Sequence, residues 1–488
     1  MDALRRTPVP PQGLLVAGAR QEGEGAPLDV ISPIDGTRLT TIADATPAEV
    51  DRAVASARAA FEDRRWAGQP PAARKKVMLK WAELIEREAL ELTVLGVRDN
   101  GTEFAMAFKA EAGSAAVTIR YYAEALDKVY GEIAPTADTH LGLIHREPVG
   151  VVGAIVPWNF PLMIGAWKLG PAIAAGNSVV LKPAETASLT LLRIAELALE
   201  AGLPEGVLNV VTGRGAVAGE ALALSMDVDV LVFTGSGAVG RRLLEYSARS
   251  NLKRVYLELG GKSPSIVFDD VKDIAQAAKV TANGMFRNSG QVCVACTRLL
   301  VQRGVQDEFV SELAKAADAL KVGDPLDQSS QIGAINSERQ LEQSLDFVET
   351  ATKEGASLYH GGNRILQETG GYYMEPTIFT DVGARDTLAQ REVFGPVLAV
   401  TGFDTEEEAV AIANGTEYGL SSGVWTSDLS RAHRMIRAVR AGVVHVNTYG
   451  GSDLTVPLGG VKQSGNGHDK SLHAFDKYVD LKTAWIQL

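Results

Sequence analysis

The chain has 488 residues, a net charge of −12 and an ordinary apolar fraction, which is too long for one compact core and calls for two or three structural units. The acidic balance has no block of like charge and lacks the basic footprint that phosphate backbones require, so no nucleic-acid partner is expected. No run of about 18 apolar residues is present, so no membrane span is expected either.

At the N terminus, Met1-Asp-Ala-Leu-Arg-Arg6 is basic, but Pro8, Pro10 and Pro11 follow it. The apolar piece Leu14-Leu-Val-Ala-Gly-Ala19 is too short for a secretory h-region and is closed by Arg20. Two cysteines in so long a chain argue against a disulfide framework and for a reducing compartment, so a cytoplasmic location is expected. From Pro47 to Asn100, Ala, Glu, Arg and Leu recur at helical spacing. Thr46-Pro-Ala-Glu49 has the form of a capping box with proline at the first helical position.

The pattern changes at Val149. Val151–Val156, Ser178–Leu181, Val207–Val211 and Val228–Phe233 are short apolar runs that read as buried strands, with helical segments such as Ser188–Ala201 between them. Alternation at this pitch implies parallel strands joined by crossover helices, a doubly wound α/β sheet. A second series, Ser265–Phe268, Thr297–Val301, Val397–Val400 and Gly423–Trp425, predicts a second α/β domain. Phe475–Leu488 alternates like an extended strand and has no obvious local partner, which suggests addition to a neighbouring subunit.

Several short motifs sit at the ends of these runs. Pro157-Trp158-Asn159-Phe-Pro161 follows the first strand, and a carboxamide fixed there can donate to an oxyanion or simply close a polar turn. Lys182-Pro-Ala-Glu185 follows the second, where open α/β sheets bind ligands, although a solvated loop reads equally well. Gly235-Ser236-Gly237-Ala-Val-Gly240 is a G-x-G-x-x-G between a strand and a helix predicted over Arg241–Arg249. Glu258 stands near the distance of a ribose-binding acid. Glu258-Leu-Gly-Gly-Lys262 and Glu392-Val-Phe394-Gly-Pro396 each present an acid on a turn; in isolation both read as solvated turns.

The two cysteines, Cys293 and Cys296, form a Cys-x-x-Cys in Asn288-Ser-Gly-Gln-Val-Cys293-Val-Ala-Cys296. A zinc site needs about four ligands. No second Cys-x-x-Cys exists, and the close histidine pairs, His140 with His145 and His468 with His473, are distant in sequence, so no metal is expected. A dithiol switch, two structural cysteines and one catalytic thiolate with a neighbour remain open on this fragment.

Taken together, Asn159 in Pro-Trp-Asn-Phe-Pro, Glu258 in Glu-Leu-Gly-Gly-Lys, Cys293 in Gly-Gln-x-Cys and Glu392-x-Phe394-Gly-Pro resemble, in order and spacing, the aldehyde dehydrogenase superfamily. The resemblance runs from Ile31 to the C terminus. The tail from Thr455 to Ile486, with Ile119–Gly131, is similar to bacterial γ-glutamyl-γ-aminobutyraldehyde dehydrogenases of putrescine degradation.

This resemblance implies two doubly wound α/β domains and a strand-type oligomerisation segment. Residues 1–127 and 148–258 would bind NAD, 259–460 would be catalytic, and 128–147 with 461–488 would build a dimer or tetramer. It implies Cys293 as nucleophile, Glu258 as the base for water and Asn159 as oxyanion donor. Lys182 and Glu185 would hold the adenine ribose, overturning the ribose reading of Glu258. Gly235 and Ser236 would face the pyrophosphate, and Trp158, Glu392 and Phe394 would complete the cofactor site. A carboxylate at Glu185 accepts from a ribose 2′-OH and repels a 2′-phosphate, which favours NAD over NADP, with Lys182 softening the preference.

The implied reaction is oxidation of an aldehyde to an acid through a Cys293 thiohemiacetal and thioester. Glu258, through water, or local helix amides would raise the thiolate fraction. The substrate expected is a γ-glutamylated or free amino-aldehyde of polyamine catabolism. The alternatives are a broad-range enzyme for 3-hydroxypropionaldehyde or aryl aldehydes, and a non-catalytic member of the family. The chain departs from the family pattern at Gly237, at Leu458 and Val461 (where aromatic rings are commoner, so a wider substrate funnel is expected) and at Asn100-Gly-Thr-Glu103 in place of Gly-Lys-Pro. Cys296 has no implied role, but a second thiol three residues away would trap an oxidised Cys293 as a disulfide.

Overall fold

The computed structural model describes residues 1–488. Two mixed seven-stranded sheets form its body. The first has the order Arg254–Glu258, Val230–Thr234, Val151–Ile155, Ser178–Lys182, Leu208–Val210, Leu14–Val16 and Ala19–Gln21. Its first five strands are parallel. Val151–Ile155 and Ser178–Lys182 are buried at every position, which is why they read as unbroken apolar runs rather than alternating ones. The Leu14–Ala19 piece, too short for an h-region, instead makes a buried strand and hairpin turn, Leu14–Val16 pairing antiparallel with Leu208–Val210 through Leu15 and Val210 and with the edge strand Ala19–Gln21 on its other side.

The second sheet runs Ser357–His360, Thr377–Thr380, Val397–Phe403, Arg298–Gln302, Pro264–Val267, Ser421–Trp425 and Val443–Val446. Only its first pair is antiparallel. No helix is long and apolar enough to cross a membrane.

One local expectation holds at the level of single hydrogen bonds and another shifts. The Pro47–Glu62 helix starts at Thr46 with both halves of the capping box in place. The helix after the glycine-rich turn begins at Gly237, four residues earlier than predicted. Ser236 caps it by accepting from the Val239 N–H, so two of the three motif glycines belong to the first helical turn.

The terminal strand is also shorter than expected, Val479–Gln487, because Leu472–Lys477 is a 3-10 turn. It does have a partner within the chain. Nine consecutive residues pair antiparallel with His140–Pro148, whose other edge carries Glu132–Ala134.

Strand order fixes where a ligand can sit. After Val151–Ile155 the chain adds strands on one side (Ser178–Lys182, Leu208–Val210), then returns to add Val230–Thr234 and Arg254–Glu258 on the other. The resulting switch point lies between Val151–Ile155 and Val230–Thr234, and open α/β sheets bind ligands beyond the carboxyl ends of strands at such a point. Pro157–Asn159 and Gly235–Ser236 are the residues that emerge there.

Candidate active site

At that switch point lies a cavity of about 510 Å³, walled by Pro157, Trp158, Asn159, Thr234, Gly235, Ser236, Gly237, Arg241, Cys293, Glu392 and Phe394 among others. The fold thus brings seven of the ten site residues expected from the sequence to one wall: Cys293, Asn159, Trp158, Gly235, Ser236, Glu392 and Phe394. Glu258, Lys182 and Glu185 do not line it. Neither do Leu458, which pairs with Asp469, and Val461, whose N–H donates to the Gly419 carbonyl.

Cys293 follows a strained turn. The helix Ile274–Phe286 ends, and Asn288, Ser289 and Gly290 then lie in the left-handed region at φ 51°, 53° and 70°. For the two non-glycine residues this costs about 1–3 kcal/mol each. Their groups are held from outside: Ser289 Oγ donates to the Gly333 carbonyl at 2.9 Å, and Gln291 Oε1 accepts from the Asn336 N–H at 2.9 Å.

Burial pushes the Cys293 thiol up to about 12, with the carboxylates of Glu392 and Glu258 adding, while the Val294 and Cys293 N–H groups facing the sulfur oppose the shift. In the free chain the thiol therefore keeps its proton at neutral pH. A negative charge on Glu258 opposes the thiolate, while the local amides favour it.

Cys296 faces the other way. It is fully buried, and its Sγ donates to the Thr281 carbonyl at 3.4 Å inside an apolar cluster with Met285 and Phe286. It does not line the cavity, so the arrangement does not favour trapping an oxidised Cys293 as a disulfide.

Asn159 Nδ2 donates one hydrogen to the Gln291 carbonyl at 2.9 Å, and its second N–H has no protein partner. The helix that follows, Pro161–Ala175, is capped by Glu111, whose Oε2 accepts from the Leu162 N–H at 2.6 Å and the Met163 N–H at 3.1 Å. Burial pushes the Glu111 carboxyl up to about 8, those two N–H groups opposing.

Glu258 ends its strand with a carboxyl turned toward Gly467, where a Cβ would stand 3.2 Å from Oε1. It is buried, and Oε1 has no hydrogen-bond partner. Burial raises its pKa well above the ordinary carboxylate range, Asp469 adds, and Lys168 and Lys477 oppose. Asp469 sits between those two ammoniums, 2.5 Å from each. Burial alone would raise its pKa, but the lysines win and hold it low.

Glu392 Oε1 accepts from the Gly261 N–H at 2.9 Å; burial raises the carboxyl to about 7, with that N–H and Lys262 opposing. A side chain at Gly260 would stand 2.0 Å from Glu392 Oε2, and one at Gly261 2.6 Å from the Cys293 carbonyl. The Gly-Gly pair therefore lets the Cys293 loop and Glu392 close on one backbone. Phe394, at φ 58°, sets its ring edge-on to Trp158 at 5.3 Å and 89°.

The residues present fit a dinucleotide. Thr234 Oγ1 is buried without a partner, the Gly235 position is too close to the Phe233 ring for a side chain, and the 13-residue helix Gly237–Arg249 points its N-terminal amides toward the cavity. Lys182 and Glu185, paired at 3.3 Å, lie two strands away, roughly 10 Å at strand spacing. Lys182 is buried and its pKa is lowered by that burial, with Glu185 opposing, while Glu185 is turned outward.

Sequence reading missed Glu111, Asp469, Lys168 and the roles of Asn288 and Gln291. The last two stand in the cysteine motif itself, where buried amides beside a glycine are a signal; the others carry no local signal.

The description "Aldehyde dehydrogenase family" belongs to the family model that matches residues 20–484, and the chain belongs to that family. It is 49% identical over 465 residues to the NADP/NAD-dependent aldehyde dehydrogenase PuuC of Escherichia coli (strain K12), covering 95% of this chain and 93% of that one. Among solved structures, an indole-3-acetaldehyde dehydrogenase in complex with NAD+ superimposes with a TM-score of 0.98 at 49% identity, covering 100% of this chain and 98% of the other. The γ-glutamyl-γ-aminobutyraldehyde dehydrogenase of Burkholderia cenocepacia J2315 does so with 0.96 at 50% identity, covering 98% and 97%.

Proposed function

We propose that this aldehyde dehydrogenase uses Cys293 as its nucleophile, takes NAD in preference to NADP, and acts on a γ-glutamylated or free amino-aldehyde of polyamine catabolism. The observation that carries the reading is the meeting of the Cys293 thiol and the free N–H of Asn159 in one cavity at the switch point.

Lys182 and Glu185 would hold the ribose of the dinucleotide, and Thr234, Gly235 and Ser236 its pyrophosphate. Trp158, Glu392 and Phe394 would enclose its nicotinamide end. When bound, it supplies the hydride acceptor. Cys293 passes its proton to a cavity water as its sulfur bonds to the aldehyde carbon, while Asn159 and the Cys293 N–H would take the charge that develops on oxygen. Oxidation leaves an acyl group on sulfur. Glu258 swings from Gly467 toward the cavity and takes a proton from water, which then attacks the thioester, releasing the acid and restoring the thiol. A carboxyl whose pKa is raised by burial holds a proton more readily than a solvated one, as a group that takes and returns a proton requires.

The substrate reading draws on the 50% identity to the Burkholderia enzyme. A second reading, an aryl-substituted aldehyde, draws on the 49% identity to the indole-3-acetaldehyde enzyme. We place the protein in the cytoplasm, a reducing compartment in which two free cysteines are stable, and as a homo-oligomer. The test is NADH formation on purified protein with γ-glutamyl-γ-aminobutyraldehyde, free amino-aldehydes, 3-hydroxypropionaldehyde and indole-3-acetaldehyde. The highest kcat/KM is expected for the first, and Cys293→Ala should abolish turnover while still binding the dinucleotide. A Cys293→Ala protein that still forms NADH would sink the mechanism, and preference for the indole compound would hand the substrate to the second reading.

A further inference from the structure

Besides the contacts of Ser289 to Gly333 and of Gln291 to Asn336, the turn at Asn288, Ser289 and Gly290 is tied to the same Asn100–Glu103 stretch that departs from the usual Gly-Lys-Pro. The Asn288 N–H donates to both Glu103 carboxylate oxygens, at 3.3 and 3.2 Å, and the Thr102 hydroxyl donates to Asn288 Oδ1 at 2.8 Å. Asn100 Nδ2 donates to the Trp158 carbonyl at 3.3 Å. Asn288 carries the link onward, its Nδ2 donating to the carbonyls of Asn159 at 3.3 Å and Gln291 at 3.4 Å. Gln291 in turn accepts the Asn159 amide and precedes Cys293 by two residues.

We propose that Glu103 is a positioning residue for aldehyde oxidation: its carboxylate, acting through Asn288, locks the nucleophile loop and the oxyanion donor Asn159 into one geometry. The proposal rests on Cys293 being the nucleophile. Neither a lysine nor a proline at these positions supplies a side-chain acceptor, so the tether is a device of chains with this Thr-Glu pair.

A neutral amide could satisfy the Asn288 N–H equally well. What distinguishes Glu103 is that it is fully buried and still ionisable. Burial pushes it up to about 7, and its own N–H, Arg287, and the N–H groups of Asn288 and Gly333 oppose that shift. Arg287, whose Nη1 is 3.8 Å from Oε1, is the charged side chain facing it. As pH rises through this range the carboxylate forms, and a charged acceptor holds the Asn288 N–H more tightly than a neutral one. The geometry of the loop should therefore be firmer above neutrality than below it.

The test compares full-length wild type, Glu103→Gln and Glu103→Ala. It measures the rate at which iodoacetamide alkylates Cys293, read by peptide mass across pH 6 to 9, alongside kcat and the KM for NAD. Glu103→Ala should slow both alkylation and kcat by about tenfold to a hundredfold with the KM for NAD unchanged, the size expected for a misplaced nucleophile. Glu103→Gln keeps one acceptor and should recover most of the rate but lose an inflection near pH 7 that wild type shows. Equal alkylation rates and profiles in wild type and Glu103→Ala, whatever the change in thermal midpoint, would overturn the proposal. If Glu103→Ala does not fold, survival of the inflection in Glu103→Gln overturns it and its loss supports it. Turnover retained by Cys293→Ala would overturn the nucleophile reading and this proposal with it.

Discussion

Asn159 has two amide hydrogens and spends only one within the protein, on the Gln291 carbonyl. The other has no partner in the protein, and Asn159 lines the cavity that holds Cys293, so its effect should appear only when charge develops on a substrate oxygen. Asn159→Ala is therefore expected to lower kcat by about 10²–10³-fold. Alkylation of Cys293, which creates no oxyanion, should change by no more than a few-fold. Equal losses in both would mean that Asn159 acts by placing the thiol. This residue was legible in the sequence because it lies between two prolines at a strand end, a local setting that marks a fixed amide. Cys293, Glu392 and Phe394 were legible through the family resemblance rather than through their local setting, which by itself reads as an open choice for the cysteines and a solvated turn for the other two. Asp469 and Glu111 were not: Asp469 meets Lys168 across 301 residues and Glu111 meets Leu162 across 51, so their roles exist only after the chain has folded.

Among the elements, the Pro161–Ala175 helix has the largest bearing on the site, because it starts two residues after Asn159 and its first N–H groups are satisfied by Glu111. Losing an acceptor at a helix N terminus costs about 0.5–2 kcal/mol. Glu111→Ala should lower stability by that amount, while Glu111→Gln keeps an acceptor. The two also differ in pH response. The folded-state pKa values of Glu111 and Asp99 are raised to about 8, and that of Glu392 to about 7, each chiefly by burial. An unfolded carboxylate titrates near 4. A raised folded pKa favours the folded state while the group is protonated, and that contribution is lost as pH rises from the unfolded value through the folded one. Urea midpoints should therefore be higher at pH 5.5 than at 8.5, with a smaller difference in Glu111→Gln. A midpoint that rises with pH across this window would show that these carboxyls are not what sets the trend. The central strands of both sheets were legible because buried parallel strands read as apolar runs, whereas strands nearer the edges, such as Arg254–Glu258, Thr377–Thr380 and Val443–Val446, were not read from the sequence. The helix start at Gly237 was not, because glycine has low helix propensity and the Ser236 cap decides the boundary.

For the molecule as a whole, the three-stranded sheet of Glu132–Ala134, His140–Pro148 and Val479–Gln487 is the part a single chain leaves unfinished. Ile133, Leu481 and Trp485 are 74%, 65% and 62% exposed. Ile133 and Ala484 both pair with Leu143 and so share one face, whereas Leu481 and Trp485 alternate onto the other, which leaves apolar groups uncovered on both sides. The nine-residue terminal strand also has one open edge, a template for pairing with another chain. Apolar faces of this kind mark an interface, and a second copy of this chain is the partner we expect. The reading of the terminal strand as an addition to a neighbour thus changes form: its first partner lies in its own chain, and the free edge and faces remain for the neighbour. Leu481→Asp combined with Trp485→Asp should place two charges on one such face without touching the cavity or either large sheet. Light scattering on size-separated protein should show wild type as a dimer or tetramer and the double variant shifted toward monomer, with far-UV circular dichroism unchanged. A wild-type protein that runs as a monomer at micromolar concentration would remove the oligomer from this account. A double variant that keeps the full assembly would move the interface to some other surface.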